Sequence, residues 1–119
     1  MESKSTGTDL LLRLIGASEL RAKVLSANIA NQNTPGYTRQ EVRFEELLRD
    51  AIQNNSKEFM KVQPEILQDT LSPSRPDGNN VTLELELNAL RENRLMYETY
   101  AAILQGHFGL LRAAVTEGR

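Results

Sequence analysis

Residues 20–38 read LRAKVLSANIANQNTPGYT, a run that opens as a helix and closes as a sharp turn. Ala22, Leu25 and Ile29 recur at three- and four-residue steps, which places them on one helical face. Asn31, Asn33 and Thr34 then offer side-chain to backbone bonds that compete with helix. Pro35 has no backbone N–H to donate and pushes Thr34 out of the helical region. The Pro35-Gly36 pair suits the centre of a type II turn, where glycine takes positive φ without a steric penalty. A long helix is therefore stopped at a defined place, with Asn28, Asn31, Thr34, Pro35, Gly36 and Tyr37 as the turn motif.

Toward the N-terminus, residues 1–8 (MESKSTGT) are polar and small, and are expected to be a disordered tail. Thr8 or Asp9 caps a helix that runs to about Ala30 or Asn31. Leu11, Ile15, Ser18, Ala22, Leu25 and Ile29 form a heptad-like stripe along it. Toward the C-terminus, Thr82 is a natural N-cap, and Glu84 and Glu86 suit the positive end of the helix it opens. Leu83, Leu87, Leu90, Arg94, Tyr97, Ala101, Leu104, Phe108, Leu111 and Val115 then alternate four- and three-residue steps, with only Arg94 breaking the apolar series. By helical rise the first helix is about 33 Å long and the second about 50 Å.

Between the helices, Arg39–Phe44 alternates weakly and reads as extended. Phe44, Leu47, Leu48 and Ile52 share one face of a short helix that Asn54, Asn55 and Ser56 end. Residues 57–80 hold Pro64, Pro73 and Pro76 among polar residues, which reads as a mobile arm with an extended piece near Met60–Leu67 and a turn at Arg75–Asn79. The fold class is mainly α: long N- and C-terminal helices packed as an antiparallel coiled coil, with a partly extended or disordered middle segment. One helical core thus draws on 9–38 and 81–119, joined by 39–80. Leu14, Val24, Leu95, Met96, Ile103 and Leu110 lie off the main seam, so a second partner surface is expected.

Composition narrows the chemistry. The 119 residues are 39% hydrophobic but only 5% aromatic, with no tryptophan, which is thin for a large core. A net charge of −2 supplies no general attraction to nucleic acid or anionic membrane. The absence of cysteine removes disulfides, thiolate chemistry and Cys-based metal sites. No apolar run is long enough to span a bilayer, and Leu10–Ile15, interrupted by Arg13, lacks the length and cleavage site of a signal peptide.

No catalytic, cofactor or metal constellation emerges. His107 is the only histidine, with no cysteine or second histidine to join it, and reads as a surface or interface residue. Glu84, Glu86, Glu92 and Glu98 are scattered around a helix and read as a solvated face or as subunit salt bridges. Gly106 and Gly109 form no phosphate-binding loop. Arg21 with Lys23, and Arg39 with Arg43, are small basic groups without interleaved aromatics, so nucleic-acid binding has little support. Tyr37 reads equally as an anchor on a neighbouring subunit or within the chain. An enzyme has no constellation to support it and would need a site borrowed from another chain, and a small soluble helical adaptor is the alternative to an assembly subunit.

Ser26–Thr38, SANIANQNTPGYT, resembles the N-terminal signature of the axial proteins of the bacterial flagellum: rod, hook and hook-associated proteins. Arg75–Leu87, RPDGNNVTLELEL, and Tyr100–Val115, YAAILQGHFGLLRAAV, resemble the C-terminal helix and its entry in the basal-body rod branch. The family pattern often carries an acidic residue where this chain has Thr82. The resemblance implies a structural subunit of the proximal rod, in the periplasmic part of the basal body, exported without a cleaved signal peptide. The partners it implies are copies of the chain, other rod proteins, and a FliE-like adaptor, the membrane ring and the export gate at the rod base. It also implies that the terminal helices do the assembling.

Overall fold

A computed structural model describes residues 2–54 and 57–117. Three helices and two strands follow in order: α1 (Glu2–Ala30), β1 (Gln40–Arg43), α2 (Glu45–Gln53), β2 (Glu65–Gln68) and α3 (Leu83–Glu117), with a 3₁₀ helix at Lys57–Lys61. The molecule is elongated, with extents of 68 × 29 × 14 Å. The long terminal helices pack side by side and antiparallel: Asn28 bonds Glu86 near one end, and Asn93 bonds Ser18 further along. The fold is mainly α, with two long helices as its frame.

Helix α1 starts at Glu2, not near Asp9. Extending an existing helix adds one hydrogen bond per residue without a new nucleation cost, and nothing between Ser3 and Thr8 breaks it except the tolerated Gly7. Met1 lies outside the described residues. Helix α3 begins directly after Thr82, and the Glu86 N–H donates to the Thr82 carbonyl at 3.0 Å.

The middle segment is folded rather than a loose arm. Strands β1 and β2 pair antiparallel, Gln40 opposite Gln68 and Val42 opposite Ile66. Their ladder continues past β2 where the Asp69 N–H donates to the Arg39 carbonyl at 2.9 Å. The outer edge of β1 is closed by side chains of α1: Asn28 donates to and accepts from the Gln40 backbone, and Arg21 donates to the Val42 carbonyl. Helix α2 opens after Phe44 with Glu45 and Glu46 at its positive end and stops at Asn54. Asn55 and Ser56, also expected to end it, lie outside the described residues.

The compact core lies between α1 and this middle segment. Ala17, Phe44 and Leu48 are buried there, with Leu10, Leu14, Phe59 and Val62 packed around them. Leu14 and Val24, which the heptad pattern leaves off the seam, thus face α2 and β1 within the same chain. Arg21 seals the edge of this layer through a two-toothed ion pair with Glu45, at 2.9 and 2.7 Å.

Phe44 is 1% exposed and is the largest buried side chain in the layer. Truncating it removes its transfer energy and leaves a cavity. Phe44→Ala is expected to destabilise the chain by about 3–5 kcal/mol, read as a drop in the urea midpoint followed by far-UV circular dichroism.

Candidate functional site

The end of α1 and the start of α3 are clasped together by two turns. The Tyr37 N–H donates to the Thr34 carbonyl at 3.2 Å across Pro35-Gly36, and Gly36 has φ of 75°, as a type II turn requires. In the second turn the Gly78 N–H donates to the Arg75 carbonyl at 2.8 Å. Gly78 has φ of 84°, and a Cβ there would sit 3.3 Å from the Gly36 Cα. Glycine at both positions lets the two backbones meet, and the Gly36 N–H donates to the Asp77 carbonyl at 2.8 Å.

Asn79 drives the clasp. It is fully buried, and its amide nitrogen lies 2.8, 3.1 and 2.9 Å from the carbonyls of Asn31, Gln32 and Thr34. These carbonyls belong to the turn that follows α1, and the bonds that hold them come from the entry to α3. Arg75 adds a further donor to the Gln32 carbonyl. The Asn79 side-chain oxygen accepts from the Val81 N–H at 2.7 Å, so one residue fixes both turns.

Beneath the clasp lies a buried polar junction. Asn28 is fully buried and uses all its capacity: Oδ1 accepts from the Tyr37 hydroxyl and Gln40 N–H, while Nδ2 donates to the Gln40 carbonyl and Glu86. Glu86, 1% exposed, takes a second bond from Arg39 Nε. The Arg39 guanidinium also meets Asp69 and Glu41. Asn80 joins the strands to α3 by accepting from the Arg39 N–H and donating to the Asp69 carbonyl, each at 2.7 Å.

Burial opposes the Arg39 charge, but its bonds to Glu86, Asp69 and Glu41 outweigh this and hold its pKa above the ordinary value. Asp69 is held well below the usual carboxylate range by the Ser72 hydroxyl and then Arg39. Burial, then Glu86, raises the Tyr37 phenol. The Tyr37 hydroxyl at 3.0 Å from Asn28 makes it an anchor within the chain.

The helix-packing candidates divide. Leu25 is buried, and Leu11, Ile15, Ala22, Ile29, Leu87, Leu90 and Leu104 are half-buried. Tyr97, Phe108, Leu111 and Val115 are exposed at 38%, 48%, 36% and 64%. The residues of α3 that turn most fully inward are Glu86 and Asn93, so the apolar stripe is rotated by roughly 50° from the intrachain seam. Leu90 and Tyr97 of the stripe line a groove with Ser18, Glu19, Ala22, Asn93 and Arg94, and the exposed part of the stripe continues along α3 beyond it. His107 is half-buried with Nε2 unpartnered, its ring 6.5 Å from Phe108.

Of the turn motif, Asn28 is buried, Asn31 and Tyr37 are half-buried, and Thr34, Pro35 and Gly36 are exposed. Asn31 and Thr34 bond each other, and Asn31 also reaches back to the Ala27 carbonyl. Sequence reading missed Arg39, Asp69, Asn79, Asn80, Glu86 and Asn93. Glu86 in particular is not solvated but buried, because Arg39 and Asn28 replace its water. The one local signal was the Asn79-Asn80 pair after Pro76-Asp77-Gly78, a place where side chains commonly bond backbone. Among the described residues no acidic or histidine cluster is placed to hold a metal ion.

Removing the Asn79 amide leaves three carbonyls without it, so Asn79→Ala is expected to cost about 1–3 kcal/mol in urea unfolding. Asp69 binds its proton less readily folded than unfolded, so its contribution is full above its unfolded pKa, near 4, and is lost as pH falls toward the folded value. The melting temperature is expected to hold near neutral pH and to fall below about pH 4, and Asp69→Asn is expected to flatten that fall.

A family profile described as "Flagella basal body rod protein" matches residues 17–38, the second half of α1 and its turn. The flagellar basal body rod protein FlgB of Borrelia hermsii is 33% identical over 119 aligned positions, covering 84% of this chain and 88% of the relative. FlgB of Aquifex aeolicus is 30% identical, covering 92% of each chain. FlgB of Aeromonas hydrophila is 32% identical, covering 78% of this chain and 80% of the relative. With relatives of this identity and coverage, the chain belongs to the FlgB family of flagellar basal-body rod proteins.

Proposed function

We propose that this chain is a structural subunit of the proximal rod, self-assembling through its terminal helices to help form the torque-transmitting shaft around the export channel. The observation that carries this reading is the uncovered half of the α3 stripe. Tyr97 lines the groove between α1 and α3, and Phe108, Leu111 and Val115 stand exposed further along α3. Apolar side chains at a helical repeat gain roughly 1.5–3 kcal/mol each on full burial, so this flank is suited to further helices. On its other side α1 is already covered by α2 and β1.

The partners in this reading are copies of the chain, other rod proteins, and the FliE-like adaptor, membrane ring and export gate at the rod base. The site is the periplasmic rod, reached by export without a cleaved signal peptide. Among the described residues no helix is long and apolar enough to cross a membrane. The role is mechanical and not catalytic. The clasp suits it, because polar bonds at two turns set how the terminal helices lie together.

Phe108 is half-exposed and far from the clasp, so Phe108→Asp tests the flank without removing the chain's own core. The expected outcome is a strain that makes the protein but shows few or no basal bodies by electron microscopy, with recovery on restoring the natural gene. Normal flagella on the variant would sink the reading and favour a soluble adaptor.

A further inference from the structure

The two edges of the β1–β2 sheet differ. In an antiparallel pair, residues that bond across the ladder alternate with residues whose backbone groups point away from it. The bond from Asp69 to Arg39 fixes that alternation: Glu41 with Leu67 and Arg43 with Glu65 bond across, while Gln40, Val42, Ile66 and Gln68 point outward. On β1 the outward groups of Gln40 and the Val42 carbonyl are taken by Asn28 and Arg21. On β2 the N–H and C=O of Ile66 and Gln68 have no partner among the described residues. Every residue of that strand is exposed.

Ile66 and Leu67 are 50% and 42% exposed, and Leu71 just beyond them is 94% exposed. Leu71 is held out by a fixed turn: Asp69 Oδ1 accepts from the Leu71 and Ser72 N–H groups at 3.0 Å each, and Asn80 donates to the Asp69 carbonyl. Side chains alternate in face along a strand, so Glu65 and Leu67 share the face of Glu41 and Arg43, and Ile66 shares that of Val42. Leu67 there borders a cleft of about 570 Å³ with Arg21, Glu41, Arg43, Glu45 and Glu46. Acids outnumber bases on this face, and Glu65 has no ion pair among the described residues, because Arg43 across from it turns to Glu46.

We infer that the β2 edge takes a further strand from a partner protein, an extended segment that alternates basic and apolar residues. Its backbone exchanges N–H and C=O bonds with Ile66 and Gln68. Its basic side chains lie beside Glu65 and the acidic cleft, and its apolar ones lie beside Ile66. A second copy does not suit the edge. Pairing β2 with itself through Ile66 and Gln68 puts Glu65 of each copy opposite Asp69 of the other, and like charges directly opposite are destabilising. Pro64 at the strand's entry and the shortness of the strand further guard the edge against unselective pairing. This surface is separate from the terminal helices, so the inference stands beside the assembly reading and not on it.

Amide exchange of the full-length chain, followed by NMR, reads the edge directly. In the free chain the Leu67 amide is expected to be protected, and the Ile66 and Gln68 amides to exchange freely. A short, end-capped peptide alternating lysine and valine is expected to slow Ile66 and Gln68 by about tenfold. The same peptide with glutamate in place of lysine is expected to leave them unchanged. Glu65→Lys is expected to weaken binding of the lysine peptide about tenfold and to let the glutamate peptide bind. Glu65 is exposed, so this variant keeps the core, and an unchanged melting temperature checks that. No slowing at Ile66 and Gln68, or equal slowing by both peptides, overturns the inference. Loss of basal bodies with Phe108→Asp would in that case leave the assembly reading intact.

Discussion

The whole arrangement depends on keeping one carboxylate, that of Glu86, buried and paired. Taking a charge out of water costs several kcal/mol unless geometry and hydrogen bonds repay it. Here Arg39 arrives from the entry to β1, and Asn28 from the last turns of α1. Neither partner is local to Glu86, so the carboxylate is satisfied only when three distant segments meet in one register. The apolar core is small, with seven buried hydrophobic residues among those described. The polar junction therefore does much of the work of choosing how the helices lie, and loss of one partner leaves the others buried without a bond.

The same logic explains the clasp. Asn28 imitates a β-strand neighbour by exchanging both bonds with Gln40, which ties the sheet to α1. Asn79 holds the turn after α1 from behind by donating to its carbonyls at Asn31 and Thr34. Two asparagines thus stand in for backbone, and two glycines allow the approach. The turn is held from behind by α3's entry, so the bend after α1 is a joint with fixed geometry rather than a loose connection.

The proposed assembly role rests on a mismatch between stripe and seam. The apolar stripe of α3 is wider than the surface α1 offers, and its centre is rotated from the buried line through Glu86 and Asn93. The middle segment covers one side of the pair and leaves the other open.

The sequence by itself determined the two long helices, the stop after Ala30 and the start after Thr82, because helical periodicity, Pro-Gly and caps act within a few residues. Its axial-family signature also survived comparison with whole relatives. Local signals marked the extended pieces near β1 and β2 and the short helix α2 but not how they pair, since β1 and β2 gain stability only against each other and against α1. Nor did they separate Glu86 from Glu84, two acids near one helix start, one buried and one exposed. Only tertiary structure decided that difference, because a carboxylate can leave water only where partners from elsewhere in the chain replace it. The rotation of α3 was decided in the same way: the buried pairing at Glu86 and Asn93, not the richest apolar stripe, sets which face meets α1.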